Sequence, residues 1–139
     1  MVSKAKLEES RKYLKRAREQ LDKACVDSWD PAEDAASCIT NSFYAYENVV
    51  VALAIAHGRK WTPKHDAKAG LAKKFFELGI LRQDVSGWMI ELNGLRKDVS
   101  YGEPGPELAN VGLEEVVSDL ERMVDEVDAI ITSIEEQHS

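Results

Sequence analysis

A chain of 139 residues supports a single hydrophobic core, and 44% hydrophobic with 31% charged residues is the composition of an ordinary globular domain. No apolar run approaches the ~20 residues that a membrane-spanning helix needs, and the N-terminus leads from Met1 into a charged helical pattern rather than an apolar leader. The expectation is one domain over residues 1–139, cytoplasmic and without a membrane segment. A net charge of -7, from 18 basic and 25 acidic residues, argues against a broad duplex-DNA-binding face.

Charge is unevenly distributed along the chain. The stretches Lys4 to Lys23 and Arg59 to Lys74 are basic, whereas Glu114 to Glu136 is strongly acidic. Such runs are either solvated helix faces or local basic surface for a partner. Cys25 and Cys38 stand in no CxxC or Cys/His spacing and read as free buried thiols.

The first predicted helix, Lys4 to Ala24, sets Leu7, Leu14, Ala17, Leu21 and Ala24 on one stripe. Asp30 can cap a second helix that starts at Pro31, with Glu33 at the capping-box position, and Gly58 stops it after about His57. This second helix is apolar on more than one face, through Ala35, Cys38, Ile39, Phe43, Tyr46, Val49, Val50, Leu53, Ala54 and Ala56, so it should be central. A shorter third helix runs from about Pro63 to Leu78, with Leu71, Phe75 and Leu78 inward and Gly79 ending it. Asp84 or Ser86 caps a fourth, with Val85, Trp88, Met89, Leu92, Leu95 and Val99 at three- and four-residue spacing, ending near Tyr101 and Gly102. The segment Gly102-Glu103-Pro104-Gly105-Pro106 cannot continue a helix. The last helix, from about Leu113, carries Val116, Leu120, Val124, Val127, Ile131 and Ile134 as its seam. No strand alternation or repeat is visible, so the expected fold is all-α: an antiparallel up-and-down bundle of four to five helices.

The strong chemical signatures are missing. The sequence has no phosphate-cradling glycine loop, no HExxH and no nucleophile elbow. His57, His65 and His138 sit at no helical ligand spacing, so neither a metal nor a cofactor is expected. The informative stretch is the end of the fourth helix, Leu92-Asn93-Gly94-Leu95-Arg96-Lys97-Asp98-Val99-Ser100-Tyr101-Gly102. Arg96 offers a permanently charged fork for a phosphate, and Tyr101, five residues on, offers a stacking face and a hydroxyl. The competing reading pairs Arg96 with an acid of the second helix such as Glu47, and lets Tyr101 cover the core's edge.

Taken in order, Ala45-Tyr46-Glu47-Asn48-Val49, the basic stretch with His65, Phe75-Phe76-Glu77-Leu78-Gly79-Ile80-Leu81, and Leu92-Asn93-Gly94-Leu95-Arg96 leading to Tyr101 resemble a HEPN domain from about Pro31 onward. The resemblance implies a four- or five-helix bundle that dimerises with its fourth-helix motifs facing across a cleft. It also implies either metal-independent RNA cleavage or nucleotide binding, and in many prokaryotic members a toxin–antitoxin pairing with a minimal nucleotidyltransferase. Arg96 matches the motif Arg, and Tyr101 stands where the motif His falls in catalytic members. A phenol with an ordinary pKa of about 10 is a poor general base at neutral pH, where an imidazole serves well.

The expected nucleotide or RNA contacts are therefore Arg96, Tyr101, Glu47 and Lys97, with Glu47 orienting Arg96; Arg96 and Tyr101 are the catalytic candidates if the chain is an enzyme. Three functions stay open: a binding module for nucleotide, RNA or a nucleotidyltransferase partner; a homodimeric metal-independent endoribonuclease; and an interaction protein without ligand. A homodimer is expected because Trp61, Phe76, Trp88 and Met89 are more large apolar side chains than one small bundle readily hides.

Overall fold

The computed structural model describes residues 2–24, 31–100 and 112–138, with side chains except at 31–34 and 98–100. Its five helices are α1 (Lys4–Ala24), α2 (Pro31–Ala56), α3 (His65–Glu77), α4 (Ser86–Ser100) and α5 (Leu113–Glu136), and the described residues contain no strand. The fold is an all-α helical bundle. Expectations about Cys25, Asp30, Tyr101 and the 102–106 segment fall outside the described residues, as do those about the side chains of Glu33 and Val99.

Helix α1 starts where the Ser3 hydroxyl accepts the Lys6 amide at 3.2 Å, satisfying one of the unbonded first-turn donors. Its predicted stripe, Leu7, Leu14, Ala17, Leu21 and Ala24, is buried throughout. The same face carries Ser10, whose hydroxyl donates to the Ala52 carbonyl of α2 at 2.6 Å. The start of α1 thus lies by the end of α2, and the two helices run antiparallel.

Helix α2 is the centre of the bundle. Every residue from Val49 to Ala56 is buried, because α1, α3, α4 and α5 all pack on it. It ends at Gly58, whose φ of +66° only glycine adopts without strain. There the Gly58 amide bonds the Ile55 carbonyl (3.0 Å) and the Arg59 amide bonds the Ala54 carbonyl (2.8 Å), the paired contacts of a Schellman stop. The same device ends α3 at Gly79, with φ +74°.

The connection from 57 to 64 carries the chain back along α2. Trp61 packs edge-on against Tyr13 of α1, with ring centres 5.7 Å apart, and α3 then starts beside Phe43 and Glu47. Its far end returns to the α2 terminus, where Phe75 meets His57 at 5.9 Å. The buried residues of α3 are Ala69, Ala72 and Phe75. Leu78, expected inward, is instead 47% exposed, because it is the C-cap, where the chain has already left the helical path.

Before α4 the Asp84 carboxylate accepts the Ser86 amide at 2.9 Å. Val85, Met89, Leu92 and Leu95 then face the core. Met89 is 1% exposed, so it does not belong among the exposed apolar residues of the dimer argument. Trp61 and Trp88 are half-buried against the core, Trp88 through an indole N–H donated to Asp119 at 3.0 Å. Phe76, Leu78 and Ile90 are the exposed large hydrophobic side chains among the described residues.

Helix α5 buries the predicted seam from Val116 to Ile131 and adds Leu113 and Met123, with Ile134 half-buried. It accepts the Tyr46 hydroxyl at the Val116 carbonyl, 2.7 Å away. Its acidic flank explains the uneven charge of the chain. Arg11 of α1 pairs with Asp128 and, at 2.6 Å, with Glu135, while Arg18 reaches Asp128 at 2.7 Å. The basic first helix and the acidic last one are partners for each other.

Candidate functional site

The site grows from one face of α2. Phe43 and Glu47 are four residues apart, hence one turn apart on the same face, with Tyr44 beside them. Phe43 and Glu47 are 1% and 2% exposed. A carboxylate that deep in a bundle requires compensating partners. They come from the first turn of α3: His65 Nδ1 lies 2.6 Å from Glu47 Oε2, and Lys68 Nζ lies 3.5 Å from Oε1. Residues 65 and 68 share a face of α3 because they are three apart, so one helix supplies both oxygens with a donor.

This geometry fixes the tautomer of His65. A carboxylate oxygen at hydrogen-bonding distance can only accept, so Nδ1 carries the hydrogen and a neutral ring keeps its lone pair on Nε2. The ring is also located by packing, with its centre 5.1 Å from that of Phe43 at 63°. The His65 side chain is 38% exposed, against 3% for Glu47. The acid is inside and the imidazole is at the rim.

From the α4 side, Arg96 is seated on the same aromatic pair. Its guanidinium carbon is 5.1 Å from the Phe43 ring centre and 5.6 Å from that of Tyr44, within the range of cation–π attraction. Asn93, one turn earlier on α4, accepts a hydrogen bond from Arg96 Nη2 at 2.9 Å. Phe43 therefore touches an orienting hydrogen-bonded imidazole and an oriented guanidinium at once. Each lies 5.1 Å from its centre, which holds the two groups within about twice that distance of each other.

Of the residues expected from sequence, Arg96 and Glu47 are brought to this one cluster. The Glu47 carboxylate is engaged by His65 and Lys68 rather than by Arg96, and among the described residues Asn93 accepts a hydrogen bond from Arg96. Lys97 is exposed one residue further along α4, about 100° around the helix, so it flanks the cluster rather than joining it. Tyr101 lies outside the described residues. The residues not anticipated are Phe43, Tyr44, Lys68, Asn93 and the role of His65 as the partner of Glu47. The i,i+3 spacing of Asn93 with Arg96 and of His65 with Lys68 was a local signal for two of these pairs.

The two remaining histidines are elsewhere. His57 closes on its own helix through the Leu53 carbonyl at 3.1 Å, and His138 follows α5. Among the described residues no group of three or more His, Cys, Asp or Glu side chains is arranged to hold a metal ion.

Fold and cluster together define a small helical bundle that presents a fixed guanidinium and a carboxylate-held imidazole at one aromatic rim. Set against protein-family models, curated proteins and solved structures, the chain gives no match.

Proposed function

We propose that this chain is a HEPN-like module that binds a phosphate-bearing ligand, a nucleotide or an RNA segment, at the rim formed by α2, α3 and α4. The observation that carries the reading is the seating of Arg96: a guanidinium stacked on Phe43 and Tyr44 and hydrogen-bonded to Asn93 presents a fixed fork suited to a phosphate. Lys97 adds an exposed positive charge beside it.

Binding of a fluorescein-labelled single-stranded RNA, followed by polarisation at low and physiological salt, tests this. Arg96→Ala should weaken binding about tenfold to a hundredfold, the loss of one or two charge-assisted hydrogen bonds. Equal affinity of the two proteins would remove Arg96 from the site.

A second reading, a metal-independent endoribonuclease acting as a homodimer, is favoured by the hydrogen-bonded Glu47 and His65 pair. In either reading the exposed Phe76, Leu78 and Ile90 offer apolar surface for a second copy or for a nucleotidyltransferase partner of a toxin–antitoxin pair. Light scattering at micromolar concentration should show a dimer; a monomer would exclude a composite cleft in the isolated protein.

A further inference from the structure

We infer that the flank of α1 turned toward α3, together with the 57–64 connection, is a docking strip for an acidic polypeptide segment of a partner protein. The strip is separate from the rim that holds Arg96 and does not depend on the phosphate-binding reading.

Charge on α1 is divided between two flanks. Arg11 and Arg18 face α5 and are answered there by Asp128 and Glu135. Tyr13, Arg16 and Gln20 repeat at three and four residues along the other flank, and Gln20 meets α2 by accepting a hydrogen bond from Asn48 at 2.8 Å. On this side the Arg16 guanidinium meets a ring instead of a carboxylate, 4.9 Å from the centre of Tyr13. Tyr13 leads to Trp61 at 5.7 Å, and Lys68 Nζ stands 6.0 Å from the Trp61 ring centre. These side chains form one line from α1, across the connection, to α3.

Lys60 and Lys64 are exposed on either side of Trp61, and no carboxylate among the described residues pairs with them. The acids on this side are Glu9, held by Lys6 at 3.4 Å, and Asp66 in the first turn of α3; Glu47 is buried beneath His65 and Lys68. Positive charge is therefore in excess along the strip. The two basic stretches of the sequence meet here, and only the α5 flank of the first has its counter-charge within the chain.

Three features favour an acidic peptide over a nucleic acid. A cation already lies over each ring, and the rings meet edge to face at 74°, so they seat the cations rather than offer a stacking platform for bases. A net charge of -7 repels a long polyanion, whereas a short acidic segment feels chiefly the charges within a Debye length of about 8 Å. A guanidinium seated on a ring also presents its fork to a carboxylate in bidentate geometry. An extended segment of about five residues, at ~3.3 Å each, spans the line from Arg16 to Lys68.

The test follows, by polarisation, the binding of two fluorescein-labelled peptides, six glutamates and six glutamines, to the full chain at low and physiological salt. The glutamate peptide should bind about tenfold more tightly or better at low salt, with the advantage shrinking as salt rises. The double variant Arg16→Ala/Lys64→Ala should weaken its binding about tenfold, the loss of two exposed ion pairs, and Arg16→Glu/Lys64→Glu should abolish it. Lys15→Ala, which removes a charge from the α5 flank of the same helix, should stay within about twofold of wild type. All three positions are exposed, and circular dichroism matching wild type verifies that the variants are folded.

Equal affinity for the two peptides would overturn the inference, as would a loss in Lys15→Ala equal to that in the double variant, the mark of diffuse charge. A single-stranded RNA whose binding depends on Arg16 and Lys64 while the glutamate peptide fails to bind would assign the strip to nucleic acid instead. A dimer that dissociates in the charge-reversed variant, seen by light scattering, would assign it to a second copy.

Discussion

Replacing Glu47 by Ala removes the polar junction between α2 and α3. Both carboxylate oxygens are engaged, by His65 at 2.6 Å and Lys68 at 3.5 Å, and the residue is 2% exposed. Removing one member of a fully buried ion pair costs about 3–5 kcal/mol, because the other charge is stranded. Here the cost is smaller. The Lys68 side chain retains 14% exposure and His65 38%, so both can turn partly to water. A hydrogen bond to a charged group is worth about 1.5–3 kcal/mol, and a loss of about 2–3 kcal/mol is expected. For a domain of this size that lowers Tm by about 10 °C. Thermal unfolding followed by circular dichroism measures it, and hydrogen exchange should show lost protection concentrated in the first turns of α3. A Tm within 2 °C of wild type, a margin set by the roughly ±0.5 kcal/mol of an ordinary surface substitution, with unchanged α3 protection, would refute the argument that Glu47 anchors this helix.

Other positions give independent checks. Tyr46→Phe removes the hydroxyl bonded to the Val116 carbonyl and should cost about 1 kcal/mol by urea denaturation. Burial, aided by Asp119, pushes the Tyr46 phenol far above its ordinary value. Because the folded state holds this proton more tightly, the contribution is complete below about pH 10 and is lost as pH rises further; ultraviolet titration should find Tyr46 un-ionised until the chain unfolds. Arg11→Ala should cost about 1 kcal/mol at low salt and less at 1 M salt, as read from denaturant midpoints. The hydrogen bond from Arg11, with help from Arg18, holds the Asp128 carboxyl below its usual range. The stability it confers is therefore full above about pH 4 and disappears as pH falls through the lowered value, so Asp128→Asn should flatten the acid limb of the stability curve. Gly79→Ala, at φ +74° with open space around it, should cost about 1–2 kcal/mol from backbone strain alone.

Much of the bundle was written in local pattern. The stripe of α1, the all-round apolarity of α2 and the glycines at 58 and 79 predict those helices and their stops, because period and handedness are properties of neighbouring residues. The position of α3 was not local. What seats its first turn beside Phe43 and Glu47 is a contact between residues 18 to 22 positions apart, made after the chain doubles back through Trp61. That return is also why Glu47 meets His65 rather than Arg96. The fourth-helix motif drew attention to Arg96, but its aromatic seat came from α2, and no spacing within α4 announces Phe43 and Tyr44. Leu78 illustrates the opposite limit: its spacing from Phe75 suits a buried stripe, yet it caps the helix and faces water.

The ion pairs between α1 and α5 join residues 107 to 124 positions apart, whereas the Ser10 contact from α1 to α2 spans 42. Closing a longer loop costs more entropy, so the α1–α2 hairpin is the natural early structure and α5 docks onto it afterwards. Stabilisation that arrives after the folding barrier is expressed in how slowly the native state opens rather than in how quickly it forms. The acidic flank of α5 then acts as a clasp on an already assembled core: loosening Arg11 or Arg18 should hasten unfolding in stopped-flow experiments while leaving the refolding rate nearly unchanged.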